Sequence, residues 1–250
     1  MSDIALVMPM AGRGSRFVAH GIMEPKPLIE LKARPFFWWA VESVRRMTTV
    51  REMVFVVLDE HCEQFNIHNR ITDLYPDAQI VKITDVTSGA AETAQLGLAA
   101  VRSDGPVAIN DCDHAFICHD IQGASSSLMS TASGALLCFR SNSSAYSYIK
   151  LGSAGEIIGT VEKEVVSPYA IAGCYLFSSP AVFTELYESY RITCPYNELF
   201  ISGLYDLLAV RGKKVLKFEA EHHCSFGTPE ELSIIGNAEF QSFLDWKGSE

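Results

Sequence analysis

The sequence predicts an α/β fold built on a largely parallel sheet, and three observations predict it. Short apolar runs suited to strands alternate with helical patterns through residues 4–110, the arrangement of βαβ units. The first of these runs, Ile4–Pro9, is continuously apolar rather than alternating, as in a strand covered on both faces. From residue 134 onward "GALLCFR", "YSYIKLG", "EIIGTVEKE" and "AIAGCYLF" follow with little helix between them. That predicts extended or antiparallel strands laid against the parallel half.

Ile4–Pro9 is the first strand. The stretch 35–47, "PFFWWAVESVRRM", sets a proline at a helix start and apolar residues at Phe36, Trp39, Ala40 and Val44, one face of a helix. "EMVFVVL" (52–58) predicts the second strand, residues 60–75 a helix, and "AQIVKIT" the third strand. "GAAETAQLGLAAV" is alanine-rich and predicts a helix, and "PVAIN" (106–110) predicts the fourth strand. Later, helices near 180–190 and 196–211 precede the strand "KKVLKFEA". "GTPEEL" opens the last helical stretch, with Thr228 as N-cap, Pro229 at the first position and Glu231 three residues after the cap. The serine-rich segment 123–133 is the nearest thing to low complexity. No repeat and no linker divides the chain, so residues 1–250 read as one domain.

The chain is 48% hydrophobic and 20% charged, which suits a protein that buries a core. Its formal net charge of −10 argues against binding a nucleic acid backbone through bulk charge. Any anion must be held by a local cluster. No apolar run approaches the roughly 18 residues that span a bilayer, and "MSDIALVMPMAGRG" has no basic start. The expected location is the cytoplasm, with no membrane partner. The seven cysteines are scattered, odd in number and without a CxxC pair, which predicts reduced thiols.

The local cluster is at the start. "IALVMPMAGRGSRF" (4–17) runs from a strand into a loop with two glycines and two arginines. Glycine lets backbone N–H groups approach phosphate oxygens, and arginine offers two parallel hydrogen bonds to them. The loop lacks the GK[ST] of a P-loop. As a dinucleotide fingerprint it has Phe17 in place of the third glycine, and only Asp59 as a weak ribose partner. In "PKPL" (25–28) prolines on both sides of Lys26 restrict its backbone, and the residues before each proline are expected to be extended. A stiffened lysine beside an arginine-bearing glycine loop suits a triphosphate.

"MPMAGRGSRF" with "PKPLIEL" resembles the GxGxR and PKP signature of the sugar-phosphate nucleotidylyltransferases. The resemblance continues in the family's order through "TSGAAETAQLGL" (87–98), "INDCDHAF" (109–116), "GTVEKE" (159–164), "AIAGCYLF" (170–177) and "FGTPEEL" (226–232), nearly the whole chain. It implies a Rossmann-like, mixed, mostly parallel sheet with helices on both faces, the nucleotide-diphospho-sugar transferase fold. It also implies a nucleotide-binding half, about residues 1–133, and an acceptor-binding extension, about 134–250. Small members linked to capsule and surface polymers look closest, and cytidylyltransferases are common among them, which favours CTP.

The resemblance also assigns residues. The loop Ala11, Gly12, Arg13, Gly14 and Ser15 would bind the nucleotide, with Arg16 on the β and γ phosphates and Lys26 on the α-phosphate. Gly89 and Ala90 would lie against the base. Asp113, with Asp111 as the alternative or second ligand, would hold Mg²⁺, a hard cation that prefers oxygen. Glu162 would accept from acceptor hydroxyls, Lys163 would contact the acceptor phosphate, and Gly173 would bring backbone close to the acceptor. Tyr148 and Lys150 are weaker pocket candidates.

The family often has an aspartate two residues before the late glycine; here that residue is Ser225, leaving Asp111, His223 or water to complete the metal shell. Cys112, His114, Cys118 and His119 fit no standard structural zinc spacing. The implied reaction joins an NTP to a phosphorylated acceptor and releases pyrophosphate. A GT-A-type glycosyltransferase would not need both GxGxR and PKP. A catalytically silent nucleotide-sugar binding protein would be expected to lack Arg16, Lys26 or the acidic pair. Homo-oligomerisation is left open.

Overall fold

The structure, a computed structural model, describes residues 3–248. Along the chain the strands are β1 (Ile4–Pro9), β2 (Glu30–Leu31), β3 (Arg34–Pro35), β4 (Val50–Leu58), β5 (Gln79–Ile83), β6 (Val107–Asn110), β7 (His114–Ile117), β8 (Gly134–Arg140), β9 (Ser147–Leu151), β10 (Ile157–Glu162), β11 (Tyr169–Phe177), β12 (Val215–Glu219) and β13 (His222–Ser225). The helices are α1 (Ser15–Ala19), α2 (Phe36–Arg45), α3 (Asp59–Phe65), α4 (Ile67–Leu74), α5 (Ala90–Leu98), α6 (Ala124–Ser130), α7 (Pro180–Thr193), α8 (Leu204–Val210), α9 (Pro229–Ile234) and α10 (Asn237–Leu244).

Nine strands form one mixed sheet. Its first part has the order β5-β4-β1-β6 and is parallel throughout. β11 then pairs antiparallel with β6 and, on its other edge, with β8, which pairs parallel with β12. The hairpin β9–β10 completes the sheet. Alternation along β1 explains the continuous apolar run. Leu6 and Met8 join one apolar cluster with Phe36, Phe37 and Trp39 of α2, while Ala5 and Val7 join another with Ala91 and Ala94 of α5. Both faces of the strand are therefore buried, as the sequence predicts.

β11 shapes the functional region. Cys174–Phe177 pair with β6, whereas Ala170, near its other end, pairs with Tyr148 of β9 on the same edge. The register breaks between Ile171 and Tyr175, around Gly173 at φ 69°. β6 and β9 part at this break, and a cleft opens beyond the C-terminal end of β6. That is where open α/β sheets bind ligands.

Four local expectations change. Lys26 opens a 3-10 turn, Lys26–Leu28, closed by Leu28 N–H donating to Pro25 O at 2.8 Å, so it is not in extended backbone. Residues 60–75 form two helices divided at Asn66, which takes φ 56°. Residues 196–200 are not helical; a 3-10 turn at Ile201–Gly203 leads into α8. The serine-rich stretch is mostly α6, with Ala124, Ser125 and Leu128 buried. β7 and β13, absent from the sequence reading, pair antiparallel with Ser225 opposite His114. Among the described residues no helix is long and apolar enough to cross a membrane.

Candidate active site

The loop after β1 turns at Gly14 into α1, and the Gly14 backbone lies against Lys26, close enough that a β-carbon would sit 3.2 Å from that of Lys26. The 3-10 turn aims Lys26 across the end of β6, where its Nζ donates to Asp113 Oδ2 at 2.8 Å. Burial alone would depress the lysine, but the neighbouring acidic groups together, Asp113 foremost and then Cys112 and Asp111, outweigh it and raise the pKa. Burial likewise opposes ionisation of Asp113, yet Lys26 holds its carboxyl below the ordinary carboxylate range.

Asp111 stands differently. Its backbone N–H donates to Gly173 O at 2.9 Å, and a β-carbon on Gly173 would fall 2.9 Å from Asp111 Oδ2 and 2.8 Å from His114 Cε1. Burial, followed by the like charge of Asp113, raises Asp111 to about 7. His114, whose Nε2 is 3.2 Å from Asn110 Oδ1, is lowered by burial to about 4. His223, stacked on Phe139 at 3.8 Å, is also lowered by burial. Both imidazoles are therefore neutral at pH 7.

The cleft, about 350 Å³, brings Arg16, Lys26, Asp111, Asp113, Glu162, Lys163 and Gly173 together from five separate stretches of sequence. A smaller hollow of about 80 Å³ adjoins it, lined by Gly12 and again by Lys26 and Asp111. Lys26 and Asp111 thus stand between a space beside the glycine loop and a space beside Glu162 and Lys163. A larger hollow of about 580 Å³ at the end of α2 is lined by Arg45 and Arg46, both already ion-paired to Glu42.

The remaining predicted residues lie around or outside the cleft. Arg13 pairs with Glu60 at 3.1 Å. Ala11 is buried against Val56 and Leu58, and Ser15 begins α1. Gly89 and Ala90 start α5 beneath the segment 196–200. Leu199 N–H donates to Ser88 O and Leu199 O accepts from Ala91 N–H, both at 2.9 Å. A β-carbon on Gly89, at φ 153°, would come within 2.5 Å of Leu199 N, so only glycine fits beneath that backbone.

Tyr148 does not reach the cleft: it is fully buried and its hydroxyl donates to Ser143 O at 2.8 Å. Tyr146, two residues earlier, lines the cleft instead. Lys150 pairs with Asp206 at 3.4 Å.

Sequence reasoning missed several cleft residues. Tyr146 donates to Glu231 Oε1 at 2.7 Å, and Glu231 Oε2 accepts from the backbone N–H groups of Gly227 and Thr228. Glu231 is the third member of the capping box read from "GTPEEL"; that motif was the available signal, and the box is present. Phe200 packs under Lys163, whose Nζ lies 5.9 Å from the ring centroid. Ser225, which stands where the family often has an aspartate, is also in the cleft wall. Among the described residues no group of three His, Cys, Asp or Glu side chains could hold a metal unaided. Asp111 and Asp113 alone offer two hard oxygen donors whose mutual repulsion a divalent cation would relieve, so this pair fits Mg²⁺ if phosphate and water oxygens complete the shell.

The family model described as nucleotidyl transferase matches residues 5–239. Among solved structures, the nucleoside-diphosphate-sugar pyrophosphorylase from Vibrio cholerae RC9 is 26% identical with TM-score 0.77, covering 91% of this chain and 98% of that one. The inositol-1-phosphate CTP transferase from T. maritima is 14% identical with TM-score 0.76, covering 96% of this chain and 95% of that one. A UDP-glucose pyrophosphorylase complexed with UDP-glucose is 20% identical with TM-score 0.74, covering 96% and 99%. The last two likenesses speak to the fold alone. No curated protein matches the sequence significantly.

Proposed function

Because the chain belongs to the nucleotidyl transferase family and is a nucleotidyltransferase, we propose that it joins an NTP to a sugar 1-phosphate or another small phosphorylated acceptor, with release of pyrophosphate. The observation that carries this reading is the position of Lys26 and Asp111 between the two adjoining hollows. A group placed there can touch the phosphorus at which two substrates meet.

In this reading an acceptor phosphate oxygen attacks the α-phosphorus in line, and the bond to the pyrophosphate breaks. The acceptor phosphate is already largely ionised near pH 7, with its second pKa about 6, so no general base is needed. The neutral His114 and His223 agree with that. Lys26 exchanges Asp113 for the α-phosphate, and Arg16 neutralises the departing pyrophosphate. Lys163 leaves the Phe200 ring to hold the acceptor phosphate, while Glu162 accepts from acceptor hydroxyls. Asp111 and Asp113 would hold Mg²⁺, which when bound supplies positive charge to the phosphate oxygens.

We favour CTP, from the resemblance of "MPMAGRGSRF" to small family members, and a product destined for capsule or other surface polymers. Pyrophosphate release measured over four NTPs against glucose 1-phosphate, inositol 1-phosphate and a panel of other phosphorylated acceptors tests the reading. One NTP and one acceptor should stand out. No release with any pair would sink it.

A further inference from the structure

Glu162 is held by hydroxyls from two distant parts of the chain. Ser147 Oγ donates to Glu162 Oε1 at 2.6 Å, and Ser202 Oγ donates to the same oxygen. Ser147 is the residue directly opposite Glu162 in the antiparallel β9–β10 pair, so the ladder register itself delivers the first hydroxyl. The second comes from the 3-10 turn before α8. Thr160, two residues before Glu162 and therefore on the same face of β10, ties that turn down: its Oγ1 donates to Ser202 O at 2.8 Å, and its backbone N–H donates to Asp206 Oδ1 at 2.9 Å. The Glu162 backbone N–H in turn donates to the Tyr196 hydroxyl at 3.4 Å.

We propose that Ser147 and Ser202 are positioning residues that clasp one oxygen of Glu162 and reserve the other for a hydroxyl of the acceptor. The inference rests on reading the cleft as an acceptor site. Two donors fill the acceptor capacity of Oε1, whereas Oε2 keeps both lone pairs. A carboxylate loaded on one oxygen is fixed in rotation as well as in place, and a freely turning carboxylate would lose entropy on meeting each acceptor. Ser202 itself is 1% exposed, so it acts on the acceptor only through Glu162.

The test has two arms. In crystal structures of the free Ser147→Ala/Ser202→Ala protein, the Glu162 carboxylate should leave its position; an unmoved carboxylate would overturn the clasp. In kinetics with glucose 1-phosphate and inositol 1-phosphate as acceptor probes, each serine substitution should raise the acceptor KM roughly ten-fold or more, as for a lost hydrogen bond to a charged group. The NTP KM should stay within about two-fold, and in a Glu162→Gln background the serine substitutions should add little. Equal rises in both KM values, or full additivity with Glu162→Gln, would mean that the serines serve only the fold. Should the double variant fail to fold, Ser147→Ala alone carries both arms, since Ser147 is only partly buried. A parent protein that releases no pyrophosphate with any NTP would remove the acceptor reading. The crystal arm would still decide whether the serines hold Glu162.

Discussion

Lys26 pairs with Asp113 in the structure, and the proposed reaction requires it to exchange that partner for the α-phosphate. Lys26→Ala removes the proposed charge on the reacting phosphate, which typically costs roughly 10²–10³ in rate. It also strands Asp113, so the variant should lose on the order of 2 kcal/mol of stability. Adding Asp113→Asn should restore much of the melting temperature and none of the rate; recovery of turnover in that double variant would rule out the proposed role. Asp111 makes a separate prediction. Its folded value of about 7 lies above the ordinary 3.8 of an unfolded aspartate. Its contribution to stability is therefore full below about pH 4, and it is lost as pH rises through about 7. Asp111→Asn should stabilise the protein at pH 8, by roughly 2–4 kcal/mol, and give no gain at pH 4. Denaturant melts of both proteins at the two pH values check the sign. The difference between Tyr146 and Tyr148 shows where sequence reasoning stops. Two residues apart in "YSYIKL", the tyrosines would share one face of a strand, but β9 begins only at Ser147; Tyr146 precedes it, outside the alternation, and lines the cleft.

Elements were legible where local chemistry decides them. The capping box at Thr228 is an example: a threonine, a proline and a glutamate at fixed spacing satisfy the first backbone N–H groups of α9 whatever surrounds them. Thr228→Ala should lower stability by about 1 kcal/mol, read as a shift in the thermal midpoint. Because Glu231 of the same box also holds Tyr146, an acceptor KM that rises along with that shift is expected. The ribbon β7–β13 was not legible, because "HAFI" is short, follows β6 closely, and finds its partner more than a hundred residues later. Lys26 shows two local rules in competition. The preference for extended backbone before a proline loses to the hydrogen bond that closes the 3-10 turn. The cleft motifs could be found in sequence because each is continuous; the grip of Ser202 on Glu162 could not, because it joins segments forty residues apart.

At the scale of the whole molecule, β11 is the strand on which both the sheet and the cleft depend: its edges meet β6, β8 and β9, and β6 and β9 part at its break around Gly173. Yet it is specified late, at residues 169–177. A chain emerging from the ribosome completes β1, β4, β5 and β6 long before β11 exists, and β6 waits with the backbone N–H and C=O groups of one edge unpaired by β11. At synthesis rates of roughly 5–20 residues per second that interval lasts several seconds, during which the open edge invites pairing with other nascent chains. Stalled chains in which Phe177 has not yet left the ribosome should be readily digested by protease and bound by chaperones. Chains stalled with Phe177 well clear of the exit should resist digestion at β1 and β6. A substitution that slows the folding of β11 would then lower the yield of protein from cells more than it lowers the stability of the molecules that do fold.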